Sequence, residues 1–349
     1  MKIKKMELAQ KINKLKSVVP KQTPTPVLQG ILVQDGYLIA SNIEMTVKAK
    51  IEGADGEAFI IPAKAFDLIN NLPDGEIEVV SGKGNTIKIS AAKIKNTYQT
   101  MEPDIFPLPA IPEGDNNITV ESEKLLESMK RVSYAVSAKG ADARMASLCM
   151  QATKGILNFV GLDGHVMAWD KMDYPGEFEL LIPKSTVDKL LSIGLSGEIL
   201  ISHNAQSAVF ASKDYEIYTR LTEGNYFQYQ AMFRELPFNT TISKTELEDA
   251  MLRAKMCTEE KKPIRWDIDG TSIDINIRDA TTDYHEVISL QKEMPEKMAI
   301  GFDARLVIQT LKAFDSQDVR LQLGSPKLPM VVETEESSFR ALVLPVLIQ

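Results

Sequence analysis

This 349-residue chain has two cysteines and three histidines, too few for most soft-metal or disulfide chemistry. Cys149 and Cys257 lie far apart in sequence and near no histidine cluster. The pattern predicts two buried thiols rather than a disulfide framework or a zinc site. His165, His203 and His285 form no pair at ligand spacing. GxSxG, Walker A and GxGxxG elements are also missing, and SGKGN at 81–85 reads as a hairpin turn. No apolar run approaches the ~20 residues that span a bilayer. The opening MKIKKMELAQKINKLKSVVPK is positively charged but lacks the apolar core and cleavage site of a signal peptide. These absences predict a cytoplasmic, non-catalytic protein with no cofactor, metal or membrane contact.

Acids outnumber bases 48 to 40, giving a formal charge of −8. That excludes a protein gripping phosphates over its whole surface but allows a basic lining inside an acidic exterior. Basic charge is densest at the start, where Lys2, Lys4, Lys5, Lys11, Lys14, Lys16 and Lys21 face the single acid Glu7.

The length suits two or three domains, and the chain repeats itself three times. Each third opens with an amphipathic helix, predicted over 6–18, 121–136 and 245–256. Its apolar faces are Leu8, Ile12, Leu15 and Val19; Leu125, Met129 and Val132; Leu247, Met251 and Ala254. Ser243 or Thr245 is the expected cap of the third. A hairpin follows each helix: ILVQDGYLIAS, LCMQATKGILNFVG and IRWDIDGTSIDIN. Their turn glycines Gly36, Gly155 and Gly270 recur after about 119 and then about 115 residues. A second helix comes next, in IPAKAFDLINNLP, IPKSTVDKLLSIG and IGFDARLVIQTLKAF, with Pro62 and Pro183 at matching positions before it. Three β runs close each unit. The expected domains are 1–114, 115–237 and 238–349, joined by the proline-bearing links at 106–116 and 235–241.

The expected fold class is therefore α+β: three tandem domains, each with two helices packed on antiparallel sheets. Sheets that join edge to edge would satisfy their open strands and form an arc with helices on its concave side. Two such arcs could close head to tail into a ring. A lysine-bearing helical lining inside an acidic shell suits a duplex held by its phosphates, independently of sequence.

Several segments carry a resemblance along nearly the whole chain: TPTPVLQGILVQ (23–34), SNIEMTVKAKI (41–51), IPAKAFDLINNLPDGEIEV (61–79), DGHVMAW (163–169), LIPKSTVDKLL (181–191), LTEGNYFQY (221–229) and ALVLPVLIQ (341–349). In this order they resemble the bacterial DNA polymerase III β subunit, the β sliding clamp family. The resemblance implies three clamp-type domains and a head-to-tail homodimeric ring with helices lining the hole. It further implies a processivity factor that tethers the replicative DNA polymerase catalytic subunit and is loaded by an ATP-driven clamp loader. DNA contact then falls to Lys2, Lys5, Lys11, Lys14, Lys21, Gln22, Lys64, Lys130, Arg131, Arg144 and Lys184. A peptide groove between the second and third domains maps onto Leu162, Gly164, His165, Val166, Met167, Phe227 and Met232. The terminal segment adds Leu342, Val343, Leu344, Pro345, Val346 and Leu347. An apolar cleft with few polar anchors suits an extended peptide.

The sequence departs from the family pattern at several of these places. Phe227 replaces a common proline, Val166 an arginine after the DGH triplet, and Gln22 an arginine beside Lys21. Asn70 stands at a basic position, and Met145 and Ala146 replace an aromatic pair near Arg144. Blander readings stand beside the sharper ones. The lysine-rich helix could be a solvated face, Asp163-Gly164-His165 a hairpin turn, and LVLPVLI a core strand. Two other function classes remain: a clamp-fold interaction scaffold that does not encircle DNA, and a hydrolase using Asp163 and His165.

Overall fold

In the computed structural model, described over residues 1–54, 56–110, 112, 117–138, 142–259, 262–278 and 280–348, one pattern of elements recurs three times. The first set is β1 (Lys2–Lys4), α1 (Lys5–Leu15), β2 (Gly30–Gln34), β3 (Tyr37–Ser41), β4 (Met45–Lys50), β5 (Phe59–Pro62), α2 (Phe66–Asn71), β6 (Glu76–Gly82), β7 (Thr86–Ala91) and β8 (Ile94–Gln99). The second is β9 (Asn117–Glu121), α3 (Ser122–Ser133), β10 (Ser147–Thr153), β11 (Ile156–Leu162), β12 (Val166–Asp173), β13 (Phe178–Pro183), α4 (Lys184–Ile193), β14 (Glu198–His203), β15 (Ser207–Ala211) and β16 (Tyr215–Arg220). The third is β17 (Phe238–Ser243), α5 (Lys244–Met256), β18 (Ile264–Arg278), β19 (Asp283–Phe302), α6 (Ala304–Lys312), β20 (Asp318–Leu323), β21 (Met330–Glu333) and β22 (Arg340–Val343). Six helices thus lie on antiparallel sheets, as the α+β reading expects.

Local chemistry accounts for the elements. Leu8, Ile12 and Leu15 are fully buried on one face of α1. The helix stops at Leu15, short of the expected 18, because the chain turns at Lys16 while Val18 and Val19 still pack inward. Ser243 is the cap of α5, its hydroxyl accepting from the Glu246 backbone N–H at 3.3 Å. Gly36 and Gly155 have φ of 79° and 80°, each after a residue near 51°. That pair of left-handed residues is the two-residue turn that matches strand twist. Pro62 and Pro183 end β5 and β13, both edge strands, where a missing N–H costs no ladder bond.

The third hairpin is absorbed into a single long strand, β18, with register shifts around Gly270. The chain nevertheless reverses there. Asn276 Nδ2 donates to Asp267 Oδ2 at 2.8 Å, whereas nine residues of straight strand would separate them by about 30 Å. Segment 264–268 pairs with 298–302, and 272–278 pairs with 283–289. The four-strand order is then the same as β5-β2-β3-β4 and β13-β10-β11-β12.

The closing strands of each repeat likewise share one order: β1-β6-β7-β8, β9-β14-β15-β16 and β17-β20-β21-β22. Consecutive repeats exchange halves. β4 of the first pairs with β16 of the second, and β12 of the second with β22 of the third, giving two eight-stranded sheets. The first repeat's closing strands and the third repeat's opening strands remain outside these sheets.

The chain divides into two compact units, Met1–Leu126 with Asp188–Leu221, and Glu127–Val187 with Thr222–Gln349. Each unit holds one eight-stranded sheet, so compactness follows the shared sheets rather than the sequence repeats. The expected boundary at 114 and part of the link at 106–116 fall outside the described residues. Of the two cysteines, Cys149 is buried as expected, but Cys257 is only half-buried because it caps the exposed end of α5. No helix among the described residues is long and apolar enough to cross a membrane.

Candidate partner groove and basic helix surface

Strand alternation sorts the groove candidates. On β12, Met167, Trp169 and Lys171 share one face, and on β22 Arg340 and Leu342 do. Met167 lies opposite Leu342, and Trp169 opposite Arg340. Leu162, Met167 and Leu342 join Cys149, Val160, Leu181 and Val331 in one apolar cluster. The segment after Thr222 adds Tyr226, Tyr229 and Phe233, while Trp169, Phe227 and Leu236 pack against it. Trp169 meets Tyr229 edge-on and Phe233 at a tilt, both with ring centroids 5.4 Å apart. The Arg144 guanidinium lies 4.5 Å from the Phe227 ring centre. Arg144 is also held by Asp142, whose carboxyl its hydrogen bonds keep below the usual range.

The structure therefore brings Leu162, Met167, Leu342 and Phe227 together. Val166 and Val343, 1% and 0% exposed, point to the opposite face and belong to the core. Gly164 and His165 form a turn: Asp163 Oδ1 accepts the backbone N–H of His165 at 2.8 Å and of Val166 at 2.9 Å. The Asp163 carboxylate thus serves a turn, as the hairpin reading expects. Met232 is exposed on a short 3-10 turn. Leu344 bonds back to the His165 carbonyl at 2.8 Å, but the tail then leaves the cluster. Val346 donates to the Gly301 carbonyl of β19 at 2.8 Å; Pro345 and Val346 are half-buried and Leu347 is exposed. Leu347 borders a depression lined by Arg265, Asp267, Asp274 and His285.

Sequence reasoning missed Tyr226, Tyr229, Phe233 and Trp169. The signal was available in NYFQYQAMF, four aromatics within a connecting segment. Burial pushes the Tyr229 phenol up to about 12 and Tyr226 higher still. It also drives the Cys149 thiol upward. These groups stay neutral at ordinary pH, and the cluster is dry apolar packing in which Met167, Tyr229 and Leu342 are themselves buried. Among the described residues no group of three or more His, Cys, Asp or Glu is arranged to hold a metal ion.

The basic candidates are dispersed. Lys2 pairs with Glu78 at 3.9 Å and Lys5 with Asp74 at 3.3 Å. Lys11 and Lys14 lie 5.5 and 5.4 Å from the Tyr215 ring centre. Lys14 also donates to the Ile193 carbonyl at 2.5 Å. In return Lys189, which the candidates omitted, donates to the Lys14 carbonyl at 2.8 Å and to Ser17. Burial lowers the Lys189 pKa. Lys21 and Lys64 line a depression of about 440 Å³, and Gln22 is exposed nearby in sequence. Lys130 and Arg131 line another of about 380 Å³. Arg131 is committed to Asp315 at 2.9 Å, Glu127 at 2.5 Å and Asp170 at 3.6 Å. Lys184 donates to the Ser133 carbonyl at 3.1 Å. The solvated bases lie mainly in the first repeat.

Comparison with known proteins follows the same lines. Residues 1–111 match the family model of the DNA polymerase III beta subunit N-terminal domain, and 234–347 that of its C-terminal domain. A protein named beta sliding clamp from Synechococcus elongatus is 22% identical, with 93% of each chain covered. The crystal structure of the beta subunit from DNA polymerase of Streptococcus pyogenes superposes with a TM-score of 0.93 at 19% identity, covering 99% of both chains. A sliding clamp from Pseudomonas aeruginosa, solved bound to griselimycin, gives 0.93 at 20% identity over 100% of this chain and 99% of the other.

Proposed function

Because the chain belongs to the DNA polymerase III beta subunit family, the β sliding clamps, we propose that two copies close head to tail around duplex DNA and tether a polymerase to it. The observation that carries the ring is the exchange of half-sheets. The junction made by β4 with β16 recurs as β12 with β22. A third such junction would need segment 283–289 and β8, one from each end of the chain. In a second copy each finds its counterpart, and a closed pair leaves neither open.

Helix contacts extend the argument. Lys14 and Ser17 of the first repeat engage α4 through Ile193 and Lys189. At the matching positions Arg131 engages Asp315, and Tyr134 donates to Thr310 Oγ1 at 3.1 Å near α6. The third set is Arg253 and Met256 on α5, and Met256 is 83% exposed. These two would meet the partner's α2, with the partner's Asp74 standing where Asp315 stands.

Phosphate contact is assigned chiefly to the exposed Lys21, Gln22 and Lys64, with Lys2, Lys5, Lys11, Lys14, Lys130, Arg131, Arg144 and Lys184 as weaker contributors because each is ion-paired, partly buried or set among acids. Contacts of this type are sequence-independent and salt-sensitive, which permits sliding. The aromatic cluster around Met167 and Leu342 would hold short peptides of the polymerase catalytic subunit and of a clamp loader. The protein so read is a cytoplasmic accessory subunit that performs no chemistry of its own.

The test is topological. The protein loaded on nicked circular DNA should be retained and should slip off once the circle is linearised. Equal loss from both forms would contradict encirclement, while peptide binding with no retention would favour the non-encircling scaffold.

A further inference from the structure

Resting on the reading of the aromatic cluster as a peptide site, we infer that its far side is a carboxylate subsite and that the preferred partner peptide carries an acidic side chain next to its apolar anchors. Beyond Trp169 and Phe233 the same sheet face turns from apolar to charged. A depression of about 480 Å³ opens there, bordered by Phe233, Lys171, Arg320, Arg340 and Glu333.

Two guanidiniums share one acid in it. Arg320 Nη1 is 3.6 Å from Glu333 Oε1, and Arg340 Nε is 2.9 Å from Glu333 Oε2. Among the described residues, no other acid lies within ion-pair distance of either arginine. The Arg340 Nε is buried and, despite that short distance, lacks the alignment of a hydrogen bond, so it has no hydrogen-bond partner among the described residues. Gln322 Nε2 donates to Glu333 Oε1 at 2.5 Å, which fixes the carboxylate and limits its swing toward Arg340. Lys171 adds a third cation. Its ammonium lies 5.8 Å from the Trp169 ring centre, with no acid at ion-pair distance among the described residues. With Glu235 also at the rim, three bases face two acids, and positive charge is left over.

Geometry links this depression to the cluster. The Arg340 guanidinium lies 5.3 Å from the Phe233 ring centre, and Phe233 is itself part of the apolar cluster. A peptide that seats an apolar side chain against Trp169 and Phe233 therefore has cations within a residue or two along its backbone. Guanidinium groups bind carboxylates through paired, charge-assisted hydrogen bonds, which suits aspartate or glutamate over a neutral amide. The occupant assigned here is that acidic side chain.

The experiment compares fluorescent peptides with the same leucine and phenylalanine anchors and either glutamates or glutamines at both flanks, titrated with the full-length protein. The glutamate form should bind about tenfold tighter at low salt. That preference should shrink toward unity near 1 M salt. It should also shrink in Arg320→Gln and Lys171→Gln, a half-buried and an exposed position that both lie outside the apolar cluster. Equal affinity of the two peptides, or a preference unchanged in both variants, would overturn the inference while leaving the peptide site standing. Failure of both peptides to bind would overturn the peptide site and the subsite together.

Discussion

The joined and unjoined strands of this protein are chemically the same module in two circumstances. Where β4 meets β16 and β12 meets β22, Val47, Ile217, Ala168 and Ala341 are all fully buried. Their counterparts at the chain's two ends are open: five of the six residues of β8 are exposed, and Val287 is 66% exposed. The helices repeat the contrast. Tyr134 is bonded to Thr310, whereas Met256, its counterpart, is 83% exposed. Identical architecture with opposite exposure is what the proposed second copy would account for.

The most severe challenge to that comparison is Met256→Asp. A charge forced into an apolar contact without a partner costs several kcal/mol, so dimer affinity should fall at least about a hundredfold. Sedimentation should then find single chains with native circular dichroism; an unchanged dimer would remove α5 from the interface. Gly161→Ala probes the buried side instead. A Cβ there would lie 2.4 Å from the Val132 carbonyl oxygen, so α3 must shift away from β11. Overpacking of this kind costs about 1–3 kcal/mol. The melting temperature should fall while the dimer persists at low temperature.

Charge exchange sharpens the helix equivalence. Asp74→Arg should weaken the dimer about tenfold, and adding Arg253→Asp should restore it. Absence of rescue would break the analogy with Arg131 and Asp315. Lys21→Gln with Lys64→Gln should lower the salt dependence of the equilibrium affinity for DNA by roughly one unit of slope per lysine. Lys130→Gln, set among Glu127 and Asp315, should do less. The smallest effect concerns pH. Burial raises Tyr229 to about 12, so between its ordinary 10 and that value the unfolded chain releases a proton that the folded chain keeps. Stability should therefore fall as pH rises through that window. Tyr229→Phe should lessen the loss, as followed by alkaline unfolding.

Much of the module was legible in sequence because it is local. Helical spacing at Leu8, Ile12 and Leu15, the glycine turns at 36 and 155, and the matching Pro62 and Pro183 are short-range signals. Edge-to-edge joining of the sheets was raised by the sequence, but which strands join was not legible, because the pairing of Met45 with Thr219 is set by a contact far along the chain. The groove was only partly legible. A family resemblance transfers positions in a line, so it included Val166 and Val343, which strand alternation turns inward. It omitted Tyr226, Tyr229 and Phe233, whose connecting segment has no periodicity to reveal that it folds over the sheet. The charged depression depends on Arg320, Glu333 and Arg340 from three different strands, and no linear pattern joins them.

Particle images of the purified protein test the central claim most directly. Closed rings of two copies with a hole wide enough for a duplex are the predicted result. Single chains, with the unaltered protein and Met256→Asp looking alike, would contradict it.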